Sequence, residues 1–142
     1  MIQYSFTIKG NHDDPCGNPV PKLKMTGKQH WTPKARGYVD WKAYVARAFA
    51  ESLEVEPIPP TMLVDHRIVD PYAEVKPITI PEGRKAHMSI MIHYQNNKRP
   101  DPENVFGSIA DALFVNDKYL AGSFDFAMEP TGKGRVDVII KI

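Results

Sequence analysis

Cysteine is nearly absent from the 142-residue chain: Cys16 stands alone, so no disulfide can form within it. A reducing compartment is expected, and the cytoplasm is the simplest one. Long apolar runs are also missing. None approaches the ~20 residues that cross a bilayer, so no membrane partner is expected. Met1-Ile2-Gln3-Tyr4 has neither the basic nor the apolar region of a secretory leader. With one cysteine and no His-x-x-x-His pair, the usual spacing of a four-ligand zinc site is lacking, and His12-Asp13-Asp14-Pro15-Cys16 reads as a polar turn. No glycine-rich loop joins a strand to a helix, because Gly132-x-Gly134 belongs to a late turn, so nucleotide binding of that kind is not expected. An excess of one charge is lacking too. Lys and Arg number 18 against 17 Asp and Glu, and a net charge of +1 does not by itself mark a nucleic-acid binder.

Charge is instead segregated along the chain. Lys22, Lys24, Lys28, Lys34, Arg36, Lys42 and Arg47 face a single acid, Asp40, within residues 21–47. Residues 51–80 reverse the balance, with only Arg67 and Lys76 as bases. A locally basic face on a near-neutral protein can still bind phosphates, because each contact releases counterions. A solvated helix face would carry the same residues.

Ile2, Tyr4, Phe6 and Ile8 alternate with polar residues, which predicts a half-buried strand. Thr32-Pro33 supplies an N-cap and a first-turn proline for a helix over 33–53, with Trp41, Val45, Ala48, Phe49 and Leu53 on one stripe. Trp41 reads as core, whereas Trp31 and Tyr38 beside the basic segment are candidates for stacking on unpaired bases. Six of the thirteen prolines fall within 54–83, which reads as an excursion from the core of a single domain spanning 1–142. Met88, Ile90, Ile92 and Tyr94 mark a second strand. His87 and His93 flank it on the polar face, and His93 is placed where it could serve the nearby acids. Asp101-Pro102 opens a second helix with Val105, Ile109, Ala112 and Leu113 on its apolar stripe. Leu120, Phe124, Phe126 and Met128 mark a third strand. Thr131-Gly132-Lys133-Gly134 is read as the turn of a closing hairpin into Val136, Val138, Ile140 and Ile142. The order β, α, irregular, β, α, β, β predicts an α+β fold: two main helices packed on a largely antiparallel sheet.

The chemistry concentrates in Lys98-Arg99-Pro100-Asp101-Pro102-Glu103-Asn104, then Asp111 and Asn116-Asp117. Asp101 and Glu103 straddle a helix start, and Asp117 follows the helix end. A dozen helical residues span roughly 18 Å, so Asp117 approaches Asp101 only if the chain returns or a second subunit supplies the partner. Phosphodiester hydrolysis needs an activated water and neutralised phosphate oxygens. Mg²⁺ held by a few carboxylates supplies both, with Mn²⁺ as a substitute. Lys98, Arg99 and Lys118 are near in sequence and suit phosphate contact. The same acids also suit a helix start, Asp101 as cap and Glu103 near the positive end of the dipole.

The segment KRPDPENVFGSIADALFVND, Lys98–Asp117, resembles the signature of the RusA family of Holliday junction resolvases. Asp101 matches the first signature acid and Glu103 stands at the second. Asn104 matches the asparagine, Asp111-Ala112-Leu113 the helix run, and Asp117 the later acid. The first strand, the Gly37-Tyr38 helix start, the strand before the signature and the closing segment Gly132–Arg135 are also similar. The resemblance implies a magnesium-dependent endodeoxyribonuclease of DNA recombination and repair, a homodimer resolving four-way junctions by paired symmetric cuts. It implies Asp101, Glu103 and Asp117 as metal ligands and catalytic acids, with Asp111 as a nearby catalytic acid. Lys98, Arg99, Lys24, Lys28, Lys34, Arg36 and Lys118 would hold the DNA. The sequence departs from the pattern at Gly107, where the family carries a helix lysine, at Asn116, where it has a second late acid, and at Glu103, where it has aspartate. The alternative expectation is a junction-binding protein that cuts weakly or not at all because Gly107 carries no charge. A third is a small interaction domain whose acids only cap helices.

Overall fold

The computed structural model describes residues 2–23, 32–53 and 76–142. The chain runs β1 (Gln3–Lys9), α1 (Pro33–Ser52), β2 (Ala86–Tyr94), α2 (Pro102–Leu113), β3 (Leu120–Met128) and β4 (Arg135–Lys141). Two helices on one four-stranded mixed sheet make an α+β fold.

Both helices start where their caps dictate. The Thr32 hydroxyl accepts from the Ala35 amide at 3.1 Å, and the Asp101 carboxylate accepts from the Glu103 amide at 2.8 Å. A proline follows each cap, its fixed φ suiting the first turn. Ala35, Tyr38, Trp41, Val45 and Phe49 recur at helical spacing and are buried on α1, as are Val105, Ile109 and Ala112 on α2. Period-two alternation likewise sends Phe6 and Ile8, Met88, Ile90, Ile92 and Tyr94, and Val136, Val138 and Ile140 to one sheet face, where they form the core with the helices.

The strand order is β1-β4-β2-β3. β4 pairs antiparallel with β1 and β2, while β3 pairs parallel with β2, Met88 opposite Gly122 and Ile92 opposite Phe126. The expected closing hairpin is therefore not formed, because β2 separates β3 from β4. The cause is burial. Val136, Val138 and Ile140 are fully buried and need neighbours on both sides, whereas the side chains of β3 are largely exposed and suit an edge. α2 supplies the crossover that a parallel β2–β3 pair requires. The connection from β3 to β4 turns at Gly132, with φ +71°, and packs Gly134 under the first loop. A Cβ on Gly134 would sit 2.2 Å from the Gly17 carbonyl oxygen.

Part of the stretch expected to be an excursion, 54–83, belongs instead to the core. Ile78 and Ile80 are buried in the core, and residue 78 bridges Phe114 beyond α2 through Ile78 N–H to the Leu113 carbonyl and Val115 N–H to the Ile78 carbonyl. Residues 54–75 lie outside the described residues, as do Lys24, Lys28 and Trp31.

Candidate functional site

α2 and the segments against it shape a cleft of about 300 Å³ lined by Lys22, Glu103, Asn104, Phe106, Gly107, Ala110, Asp117 and Leu120. Glu103, Gly107 and Ala110 fall on one helical stripe, which is why they share a wall. The return of the chain after α2 brings Asp117 to the same cleft as Glu103, so two of the acids singled out in the sequence meet in one concavity. The third does not line it. Asp101 is exposed, and one of its oxygens is engaged in capping α2. Among the described residues, no group of three or more His, Cys, Asp or Glu is arranged to hold a metal ion. The oxygen-bearing side chains among the lining residues, Glu103, Asn104 and Asp117, are of the kind that suits a hard divalent cation retaining most of its waters.

Two contacts pin the first loop against this helix. The Lys22 amide donates to the Asn104 carbonyl at 2.9 Å. Two residues earlier, the Val20 carbonyl lies 2.7 Å from the buried Ser108 hydroxyl, which also lies 2.8 Å from the Val105 carbonyl and accepts from the Trp41 indole at 3.0 Å. Trp41 is therefore core, as its stripe predicted, and its one polar atom is satisfied.

Asp111 occupies a different place from the cleft acids. It faces α1, where one carboxylate oxygen accepts from the Tyr38 hydroxyl at 2.8 Å and lies 3.6 Å from the Lys42 ammonium; Lys76 reaches the other oxygen at 3.5 Å. Burial works against ionisation of Asp111, but the Tyr38 hydrogen bond and the charges of Lys42, Lys76 and Lys22 outweigh it and hold the carboxyl below its usual value. Burial lowers the Lys42 pKa below that of an ordinary lysine despite the pull of Asp111, and the neighbouring Lys76 and Lys22 charges push the same way. Burial and the adjacent carboxylate together drive the Tyr38 phenol well above its ordinary value. Tyr38 is only 1% exposed, so it is not the stacking platform expected from its neighbourhood in sequence. Its apolar neighbours on α1 turn it inward.

The remaining candidates are spread around the molecule. Lys98 and Arg99 are exposed before α2, and the Arg99 guanidinium lies over the Phe126 ring at 5.0 Å. Lys34 and Arg36 are exposed on the first turns of α1. Lys118 follows Asp117, with its ammonium 5.6 Å from the centroid of the Tyr119 ring. His93 does not serve the cleft. Strand alternation turns it to the sheet face away from the helices, 3.2 Å from Asp137 and 3.9 Å from Glu129, which Arg135 also bridges. Reading by composition missed Lys22, Lys42 and Lys76 as partners of these acids. One signal for Lys22 was present: a glycine inside an amphipathic helix often marks the close approach of another segment.

No family model matches the chain, and no curated protein does.

Proposed function

We propose that the chain is a metal-dependent, structure-selective endodeoxyribonuclease, RusA-like, that resolves four-way DNA junctions by paired phosphodiester hydrolysis. The observation that carries this reading is the cleft itself. Glu103 and Asp117, separated by the length of α2 in sequence, line one concavity together with Asn104 and a lysine. Mg²⁺ or Mn²⁺ held there by Glu103, Asp117 and the Asn104 carboxamide would supply positive charge to phosphate oxygens and acidify a bound water. In hydrolysis the water oxygen forms the new bond to phosphorus, its proton passes to a base, and the sugar oxygen leaves with a proton. Whichever of Glu103 and Asp117 leaves an oxygen free of the ion would take that proton, and solvent water would supply the proton to the departing oxygen. Asp101 acts by capping the helix that presents Glu103, and the exposed Lys98 and Arg99 just before α2 suit contact with the strand's phosphates. Exposed Lys34, Arg36 and Lys118 suit further phosphate contacts, which orient the DNA without reading its sequence.

A homodimer belongs to the same proposal. β3 is an edge strand that leaves Phe124, Phe126 and Met128 about two-fifths exposed, a surface that a second copy would cover. No helix among the described residues is long and apolar enough to cross a membrane. The proposed compartment is the cytoplasm, where Cys16 remains a thiol.

The test is cleavage of a labelled four-way junction in Mg²⁺ and then Mn²⁺, with linear duplex as control. Symmetric paired nicks in the junction alone are expected, and Glu103→Gln or Asp117→Asn should lower the rate by about 100-fold or more. Equal cutting by those variants refutes the site. The second reading, junction binding with little cutting, is favoured by the absence of a third acid among the described cleft residues and by the uncharged Gly107. Retention of the junction without nicks in either metal would establish it.

A further inference from the structure

Lys22 is the only cation lining the α2 cleft among the described residues. Its position is built rather than incidental. The loop that carries it is fixed to α2 at residue 20 through Ser108 and at residue 22 through the Asn104 carbonyl. From there the side chain crosses the helix at Gly107. A Cβ added to Gly107 would lie 3.2 Å from the Lys22 Cδ and 3.6 Å from its Cβ, closer than the first of these atoms tolerates without shifting. Any other residue at 107 would therefore press on the lysine stem. Glycine weakens a helix interior relative to alanine, and here it opens the track along which Lys22 lies. Among the described residues the Lys22 ammonium makes no ion pair within 4.0 Å, unlike Lys42 and Lys76, which are drawn to Asp111. Lys22 thus lines the concavity that Glu103 and Asp117 also line without an ion pair to either, and its charge acts on Asp111 across α2.

We infer that Lys22 is the phosphate-binding cation of this cleft, contacting a non-bridging oxygen of the scissile phosphodiester from the place that Gly107 leaves open. The inference rests on the nuclease reading and adds to it a residue from outside the α2 segment. It also gives the uncharged helix position a physical meaning, since the charge reaches the cleft from the first loop instead of from α2. A fixed cation at a transferring phosphate is worth most in the transition state, so its removal should act on the cutting rate more than on DNA affinity.

The experiment is single-turnover cleavage of a labelled four-way junction in Mn²⁺ and Mg²⁺, with junction affinity measured separately in Ca²⁺. Lys22→Met keeps the stem and the backbone hydrogen bond and removes the charge. It should slow cutting by about 100-fold while affinity changes by only a few fold. Lys22→Arg keeps the charge and should hold the rate within about tenfold of the unchanged protein. Gly107→Lys introduced into the Lys22→Met protein should recover part of the lost rate, because it returns a cation to the same cleft. Gly107→Lys alone should slow cutting, because it displaces the Lys22 stem. Equal rates for Lys22→Met and the unchanged protein overturn the role of Lys22 and leave the nuclease reading standing. Equal losses in Lys22→Met and Lys22→Arg also overturn it, since charge would not be the operative property. Failure of the unchanged protein to cut in either metal overturns both readings together.

Discussion

Replacing Asp111 with asparagine separates a structural acid from a catalytic one. The carboxylate lies 3.6 Å from Lys42 and 3.5 Å from Lys76 and accepts the Tyr38 hydroxyl at 2.8 Å. Asparagine is nearly isosteric, and its carbonyl can keep the tyrosine bond, so the substitution removes mainly the charge shared by two ammonium groups. Removing one partner of a fully buried ion pair costs about 3–5 kcal/mol. Lys42 is deeply buried, at 6% side-chain exposure, but Asp111 and Lys76 retain about a quarter of theirs, and solvent screening reduces the effect. The expected loss is about 2 kcal/mol, which for a chain of this size lowers the Tm by about 5–10 °C. The assay is urea and thermal unfolding in the absence of divalent metal. Lys42→Met combined with Asp111→Asn should destabilise by less than the sum of the single changes, because the buried ammonium and its carboxylate are removed together. A loss under about 0.5 kcal/mol for Asp111→Asn would refute the argument and return Asp111 to the candidates for direct chemistry.

The same carboxylate fixes the sign of an acid dependence. Its folded pKa is depressed, so its contribution to stability is present above the ordinary carboxylate value of 3.8 and is lost as pH falls through the lower, folded value. Unfolding free energy should therefore fall more steeply in the unchanged protein than in Asp111→Asn as pH drops from 3.8 to the lower, folded value, and parallel curves there would contradict the assignment. Gly122→Val should destabilise the edge strand by about 2 kcal/mol, because an added Cβ would meet the Phe106 ring at 2.1 Å and the Met88 carbonyl at 2.7 Å. Trimming Phe106 to leucine in the same chain should recover part of that loss in a urea titration, and full additivity of the two changes would show that the ring is not the obstacle.

What the sequence by itself determined was local. Thr32-Pro33 and Asp101-Pro102 fixed both helix starts, because capping and proline geometry act within one turn. Alternation in Gln3–Lys9, Ala86–Tyr94, Leu120–Met128 and Arg135–Lys141 fixed four strands and, in all but the third, the face turned to the core, because side-chain direction alternates with every residue. The apolar stripe likewise placed Trp41 inside. Partner choice was decided only in three dimensions. Nothing in the turn Thr131–Gly134 reveals that the connection crosses β2, so that β4 pairs with β2 and β1 instead of β3, since that depends on which strand has most to bury on both flanks. Tertiary contact also divided acids that look alike in sequence: Asp101 to a cap, Asp111 to the lysines and tyrosine at the α1–α2 contact, Glu103 and Asp117 to a shared cleft. A carboxylate's role follows from the groups that surround it, and those groups arrive from residues 22, 38, 42 and 76, far away along the chain.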